Sequence, residues 1–326
     1  MVTRTLYLRS DPGQRARMDA AMPLARDSLT RGGLIPGAGQ PAFELKLRDP
    51  APVPVLIAVP HAGRCYPPEL AARMRCPGEA GLRLEDRFVD LVGTRLARAT
   101  GAALLLAHAP RAMIDLNRAP DEMDWSMVAD AAPARHVQMG RRARSGLGLV
   151  PRRLPGMGEL WTGRMSAADL TARIENIHKP YHLVLGASLD MLRDRWGAAL
   201  LIDLHSMPPL GPKRGGNAAP DFVVGDRFGA SCSAGVSTAA IDHFEREGRA
   251  AAYNRPYAGG YVLDRHGAPS RGIHALQMEL CRAAYLDREL REPGPGLAEI
   301  VEVLARLVRR LVDEITGAVD LAEAAE

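Results

Sequence analysis

Apolar residues along this chain fall into short unbroken runs separated by stretches with helical spacing. Residues 53–59 (Val-Pro-Val-Leu-Ile-Ala-Val) form a run of strand length ending at Pro60, His61, Ala62 and Gly63. This predicts a buried strand followed by a sharp turn. From 86 to 99, Phe88, Val89, Val92, Leu96 and Ala97 recur at helical spacing, and runs at 101–107 and 113–116 predict a second strand and a short third. Residues 166–196 read as one long helix, opened by Ser166 with Asp169 three positions on. That helix delivers the chain to a strand over 198–204. Further strands are expected at 221–224, 261–263 and 273–280, and helices at 234–247 and 296–325. Strands alternating with helices predict an α/β layered domain.

Residues 1–40 are polar with scattered Gly and Pro and are expected to be an N-terminal extension with one helix at most. A single domain is expected over 41–326, with a loop-rich excursion at about 119–164, where periodicity fades and glycines and prolines surround Leu160-Trp161. A chain of 326 residues with 47% hydrophobic content is long enough for a sizeable core, which excludes disorder as a whole. No apolar run approaches the ~18 residues that span a bilayer, so no membrane partner is expected. The net charge of +4 is spread over arginines interleaved with acids. Only 141–144 and 212–214 form small basic clusters, without the aromatics of a single-strand groove, so no nucleic-acid partner is expected. Cys65, Cys76, Cys232 and Cys281 show no CxxC pairing, which fits reduced thiols and a cytoplasmic location.

Within this frame the polar residues at strand ends carry the chemistry. In Leu-Ile-Asp-Leu-His-Ser-Met-Pro (201–208), period-two alternation puts Asp203 and His205 on one side of a strand end. One such end can supply a metal ligand and a hydrogen-bond partner, although a pair serving only a turn would look the same. His61 sits at another strand end, where clefts form at the carboxyl edge of α/β sheets. A catalytic zinc site takes three protein ligands and leaves one position open, so a carboxylate is needed. Asp86 is the choice, because it opens a helix soon after the His61 loop; an ordinary first-turn acid is the plain alternative, and Glu69, Glu85 and Asp90 compete.

In residues 111–118, Arg-Ala-Met-Ile-Asp-Leu-Asn-Arg, alternation groups Asp115 with Asn117. Arg118 can grip a substrate carboxylate through two parallel bonds, Asn117 can add a donor, and Arg111 can polarise a carbonyl oxygen. Glu279 shares a strand face with Gln277 inside an apolar run. A carboxylate there is costly without a partner or a task, and beside a metal-activated water it can move the proton; pairing with Arg282 is the alternative. His178 and His182 are four apart, but Lys179 and Pro180 depart from HExxH. Residues 229–233 lack the last glycine of GxSxG, and neither GxxxxGK[ST] nor a GxGxxG following a strand occurs.

Six ordered motifs, Val-Pro-His-Ala-Gly (59–63), Glu-Asp-Arg-Phe-Val (85–89), Ile-Asp-Leu-Asn-Arg-Ala-Pro (114–120), Lys-Pro-Tyr-His (179–182), Asp-Leu-His-Ser-Met (203–207) and Gly-Ile-His-Ala-Leu-Gln-Met-Glu (272–279), resemble the N-formylglutamate amidohydrolase family, a branch of the zinc carboxypeptidase and aspartoacylase superfamily. The resemblance implies a mixed central sheet flanked by helices and one zinc ion held by His61, Asp86 and His205. It further implies amide hydrolysis with Glu279 as base and acid, Arg111 near the scissile carbonyl, and Asn117 and Arg118, in the motif with Asp115, on a small anionic N-acyl amino acid. A different acyl group or a non-catalytic scaffold are the alternatives. Carboxypeptidases take their second ligand from HxxE, and the corresponding position here is Arg64. The segment 121–148 also looks longer than the family's.

Overall fold

Four parallel strands form the centre of the sheet, and their apolar sequences are buried on both faces, with polar residues only in β7 and β10. The structure is a computed structural model that describes residues 26–130, 140–211 and 219–323. In chain order the strands are β1 (Arg26–Gly32), β2 (Phe43–Asp49), β3 (Val55–Val59), β4 (Ala103–Ala107), the small hairpin β5 (Arg153–Leu154) and β6 (Gly158–Glu159), β7 (Ala199–Met207), β8 (Phe222–Gly225), β9 (Ala251–Tyr253) and β10 (Ile273–Cys281). All but the hairpin join one mixed sheet of order β1-β2-β4-β3-β7-β10-β8-β9. Strands β4, β3, β7 and β10 run parallel, so their carboxyl ends share one edge, while β2 and β8 flank them antiparallel.

Helices cover both faces. On one side α3 (Val89–Thr100), α7 (Ala234–Arg246) and α9 (Leu297–Glu323) bury a stripe that includes Val92, Leu96, Val236, Leu304 and Leu311 against Ile57, Leu200 and Leu276. Each such aliphatic side chain contributes about 1.5–3 kcal/mol on full burial. On the other side α6 (Lys179–Trp196) packs Tyr181, Leu185, Leu189 and Leu192 against Leu56 and Leu201. The short helices α1 (Pro68–Ala72) and α2 (Pro77–Leu84) and the excursion close that face. No helix among the described residues is long and apolar enough to cross a membrane.

The structure corrects several expectations. β1 lies within the stretch expected to be an extension, yet it pairs along its length with β2. Residues 113–116 are a turn, because Asp115 N donates to Leu149 O and Met113 N to Pro110 O instead of entering the ladder. Residues 261–263 open a helix, α8 (Tyr261–His266), rather than forming a strand. The long helix is real but interrupted: α5 (Ala167–Arg173), capped by Ser166 Oγ accepting from Asp169 N, passes through a π turn at Ile174–His178 into α6. The helix expected from 86 begins at Val89. Residues 1–25 of the expected extension, the basic cluster 212–214, part of the excursion and the last three residues lie outside the described residues.

Candidate active site

The chain leaves β3 at Val59 and turns through Pro60 and His61. Gly63 is needed here, since a Cβ would lie 2.1 Å from the Ala109 carbonyl oxygen, where this loop crosses the chain leaving β4. The Asp86 amide donates to His61 O at 2.9 Å, which binds the segment after α2 to the same loop. Phe88 then adopts a left-handed φ of 56° and swings the chain into α3, so Asp86 occupies a turn ahead of the helix. His205 lies near the carboxyl end of β7, and the parallel register sets Glu279 of β10 directly beside it.

His61, Asp86 and His205 converge, all buried, with one donor atom from each within 4.8 Å of the others. Asp86 Oδ2 is 2.9 Å from His205 Nδ1 and 3.5 Å from His61 Nδ1. The far nitrogens are occupied: His61 Nε2 donates to Asp115 Oδ1 at 2.7 Å and His205 Nε2 to Asp203 Oδ2 at 2.9 Å. Both rings therefore present Nδ1 to Asp86, and His61 Nδ1 is buried without a hydrogen-bond partner. Ligand atoms about 2.0–2.1 Å from a tetrahedral cation lie roughly 3.3 Å apart, close to the two separations seen. A buried lone pair with no donor, two nitrogens and a carboxylate, each imidazole backed by an acid, fit a first-row dication. Burial alone would push the Asp86 carboxyl up, but the hydrogen bond from His205 and the closeness of both imidazoles outweigh it and hold the group well below the usual range. Burial disfavours charge on His205 too, yet the charge of Asp203 and bonds to Asp203 and Asp86 raise its pKa well above that of free imidazole. This is a site that attracts positive charge.

Glu279 faces the same cavity, of about 190 Å³, and burial, with the Asp86 charge adding and His205 opposing, lifts its pKa to about 7. A hydrogen-bonded chain reaches it: Val262 N donates to Asn117 Oδ1 at 3.0 Å, Asn117 Nδ2 to Gln277 Oε1 at 3.2 Å, and Gln277 Nε2 to Glu279 Oε1 at 2.9 Å. Gly260 makes room for this chain, since a Cβ there would lie 2.5 Å from Asn117 Oδ1. Arg282, the alternative partner for Glu279, instead donates to Ser206 Oγ and to the Leu82 and Glu85 carbonyls.

Arg111 and Arg118 line the cavity. Arg111 Nε is held by Asp115 Oδ2 at 3.0 Å, and Arg118 donates to the Leu147 and Asn117 carbonyls. Asp115 is fully buried, and its oxygens accept from His61, Arg111 and the Asn117 amide. It is therefore placed to orient these groups rather than to meet a substrate, a correction to its grouping with Asn117 and Arg118. Of the competing acids, Asp90 pairs with Arg64, Glu85 lies near Arg87, and Glu69 is exposed.

His178 and His182 serve the turn that carries Asn117 and Arg118. His178 Nε2 donates to Arg118 O at 2.8 Å and His182 Nε2 to Leu116 O at 3.0 Å, while His266 Nε2 donates to His182 Nδ1 at 3.0 Å. Sequence reasoning did not find Gln277's linking role, Tyr257, or Arg142 on α4 (Arg141–Arg144) as cavity-lining groups. Gln277 shares the period-two face of Glu279 and was legible by that signal; Tyr257 and Arg142 sit in loop-rich stretches with no periodicity to place them.

The model of the N-formylglutamate amidohydrolase family matches residues 53–286, well over half of the chain. The chain belongs to this family. Family relatives include a Pseudomonas aeruginosa protein named N-formylglutamate deformylase, 27% identical over 81% of this chain and 92% of the relative. A Pseudomonas putida protein of the same name is 30% identical over 72% of this chain and 82% of its own length. The crystal structure of N-formylglutamate amidohydrolase from Ralstonia eutropha JMP134 superposes with a TM-score of 0.76 at 27% identity, covering 85% of this chain and 99% of that one. The matched segment of the family model contains every residue of the donor cluster as well as Glu279.

Proposed function

We propose that this protein hydrolyses the amide bond of N-formyl-L-glutamate, giving glutamate and formate, with a zinc ion held by His61, Asp86 and His205. The observation that carries this reading is the meeting, in one cavity, of the three-donor cluster, a glutamate and arginines that line its wall. The two Pseudomonas relatives named N-formylglutamate deformylase support the choice of substrate. When bound, zinc supplies Lewis acidity and makes a water acidic enough to lose its proton near pH ~7.

The protein's own residues do the rest. Arg118 takes the substrate carboxylate and Asn117 offers its remaining amide hydrogen, which orients the formyl group towards the cluster. Arg111, fixed through Nε by Asp115, turns its free N–H groups to the carbonyl oxygen as negative charge develops there. Glu279, with one oxygen steadied by Gln277, accepts the proton of the attacking water and returns it to the leaving nitrogen. The water oxygen bonds to the formyl carbon, the carbon–nitrogen bond breaks, and the nitrogen leaves as the amine. Asp115 and Asp203 hold the two imidazoles in the tautomer that directs Nδ1 inward.

The test is formate release from N-formyl-L-glutamate by metal-loaded protein and by the same protein stripped with a chelator. Release that requires the metal is expected. Absence of release from metal-loaded protein would overturn the substrate and turn the search to other acyl groups.

A further inference from the structure

The proposed chemistry leaves Arg83, Arg142 and Arg282 on the cavity wall without a task; Arg83 donates to the Pro155 carbonyl and Arg282 to Ser206 Oγ and two carbonyls, which leaves Arg142. Arg142 lines the same cavity as the donor cluster, Arg111 and Arg118. Its position is set through the backbone: Leu147 N donates to Arg142 O, and Arg118 Nε donates to Leu147 O, each at 2.9 Å. The excursion thus brings Arg142 to Arg118 on one short bracket. After burial, which lowers the Arg118 pKa, the neighbouring charges of Arg111 and Arg142 lower it further against the pull of Asp115. Asp115 is committed to Arg111 and His61, and no carboxylate among the described residues pairs with Arg142.

Guanidinium groups gathered on one wall repel each other until anions arrive. A single carboxylate on Arg118 leaves Arg142, at the exposed rim, still uncompensated. We propose that Arg142 binds the side-chain carboxylate of the substrate and thereby selects an acidic N-acyl amino acid over its neutral counterpart. This rests on the reading that an N-acyl amino acid occupies the cavity with its other carboxylate on Arg118. A guanidinium receives a carboxylate through two parallel bonds, whereas a carboxamide offers one acceptor oxygen and no charge.

The experiment is calorimetric binding of N-acetyl-L-glutamate and N-acetyl-L-glutamine to the full-length, metal-loaded protein, to Arg142→Gln and to Arg142→Lys, with formate release from N-formyl-L-glutamate followed in parallel. The wild type is expected to prefer the glutamate ligand, Arg142→Gln to reduce that preference about tenfold, and Arg142→Lys to keep part of it. An unchanged preference in Arg142→Gln, or a wild type that binds neither ligand or both alike, would overturn the proposal. The two readings fail separately. Selective binding that depends on Arg142 without formate release supports this role and removes the deformylase activity; formate release with an unaltered preference removes this role alone.

Discussion

Two pairs of buried histidines lie in this molecule at nearly equal spacing, 4.7 Å between ring centroids for His61 and His205 and 4.4 Å for His178 and His182. Their surroundings give them opposite chemistry. The first pair has an aspartate on each far nitrogen and a third aspartate between the near ones. The second pair donates to backbone carbonyls, and the remaining nitrogen of His182 accepts from His266. Acids behind and between the first pair attract a cation, as the raised pKa of His205 reflects. Burial without acids drives the second pair the other way: His178 is lowered, and His182, further disfavoured by His178 and His266, falls to about 2. Two histidines four residues apart on a helix therefore say little about metal binding; the partners of their far nitrogens decide it.

The comparison is broken most severely by removing a donor. His205→Ala is expected to lose both bound metal and turnover, while His182→Gln keeps its metal; elemental analysis of the two purified variants separates the pairs, and retention of metal by His205→Ala would sink the assignment. Glu279→Gln should keep the metal and lower kcat by roughly 10²–10⁴-fold, the range of a lost acid–base group. Normal turnover by that variant would remove the glutamate from the chemistry. Removing an acid behind the first pair, by Asp203→Asn, is expected to weaken metal affinity by roughly 10–100-fold, read by competition with a chromogenic chelator.

The smallest effects concern the second pair. His182→Gln loses a bond to the turn that carries Asn117 and Arg118, so KM should rise about fivefold, as for one lost hydrogen bond, with kcat less affected. The same histidine carries a pH signature. It is neutral in the fold and takes up a proton in the unfolded chain below about pH 6.5, so the folded state binds fewer protons there. Its contribution is fully present above that pH and declines on acidification by about 1.4 kcal/mol per pH unit. Denaturant unfolding between about pH 6.5 and 5 should show this slope reduced in His182→Gln, and an identical slope in the two proteins would mean that His182 is not held neutral.

What could be read from sequence follows where periodicity had physical force. In β7 and β10, alternation along buried strands correctly paired Asp203 with His205 and Gln277 with Glu279. At 113–116 the same alternation misled, because the buried Met113, Ile114 and Leu116 pack from a turn whose amides bond to Pro110 and Leu149. Tyr261 and Val262 read as strand residues, but the Val262 amide is bound by the Asn117 side chain at the first turn of a helix, a long-range contact invisible to local pattern. β1 went unseen because an edge strand exposes most of its residues and so lacks an apolar signal. The position of Arg142 depends on the backbone bracket through Leu147, which no spacing rule encodes.

The register of the parallel strands also has a consequence for how the protein is made. Residues 61, 86, 205 and 279 are far apart in the chain and meet only when β3, β7 and β10 have paired, with Ala58 opposite Asp203 and His205 opposite Glu279. Such non-local pairings form late, because long loops must close before any contact compensates for the lost freedom. No fragment emerging early in synthesis contains the three donors, so a nascent chain has no high-affinity claim on cellular metal. An ion held by these donors would therefore be taken up only on sheet closure, and its uptake during refolding would time that final step.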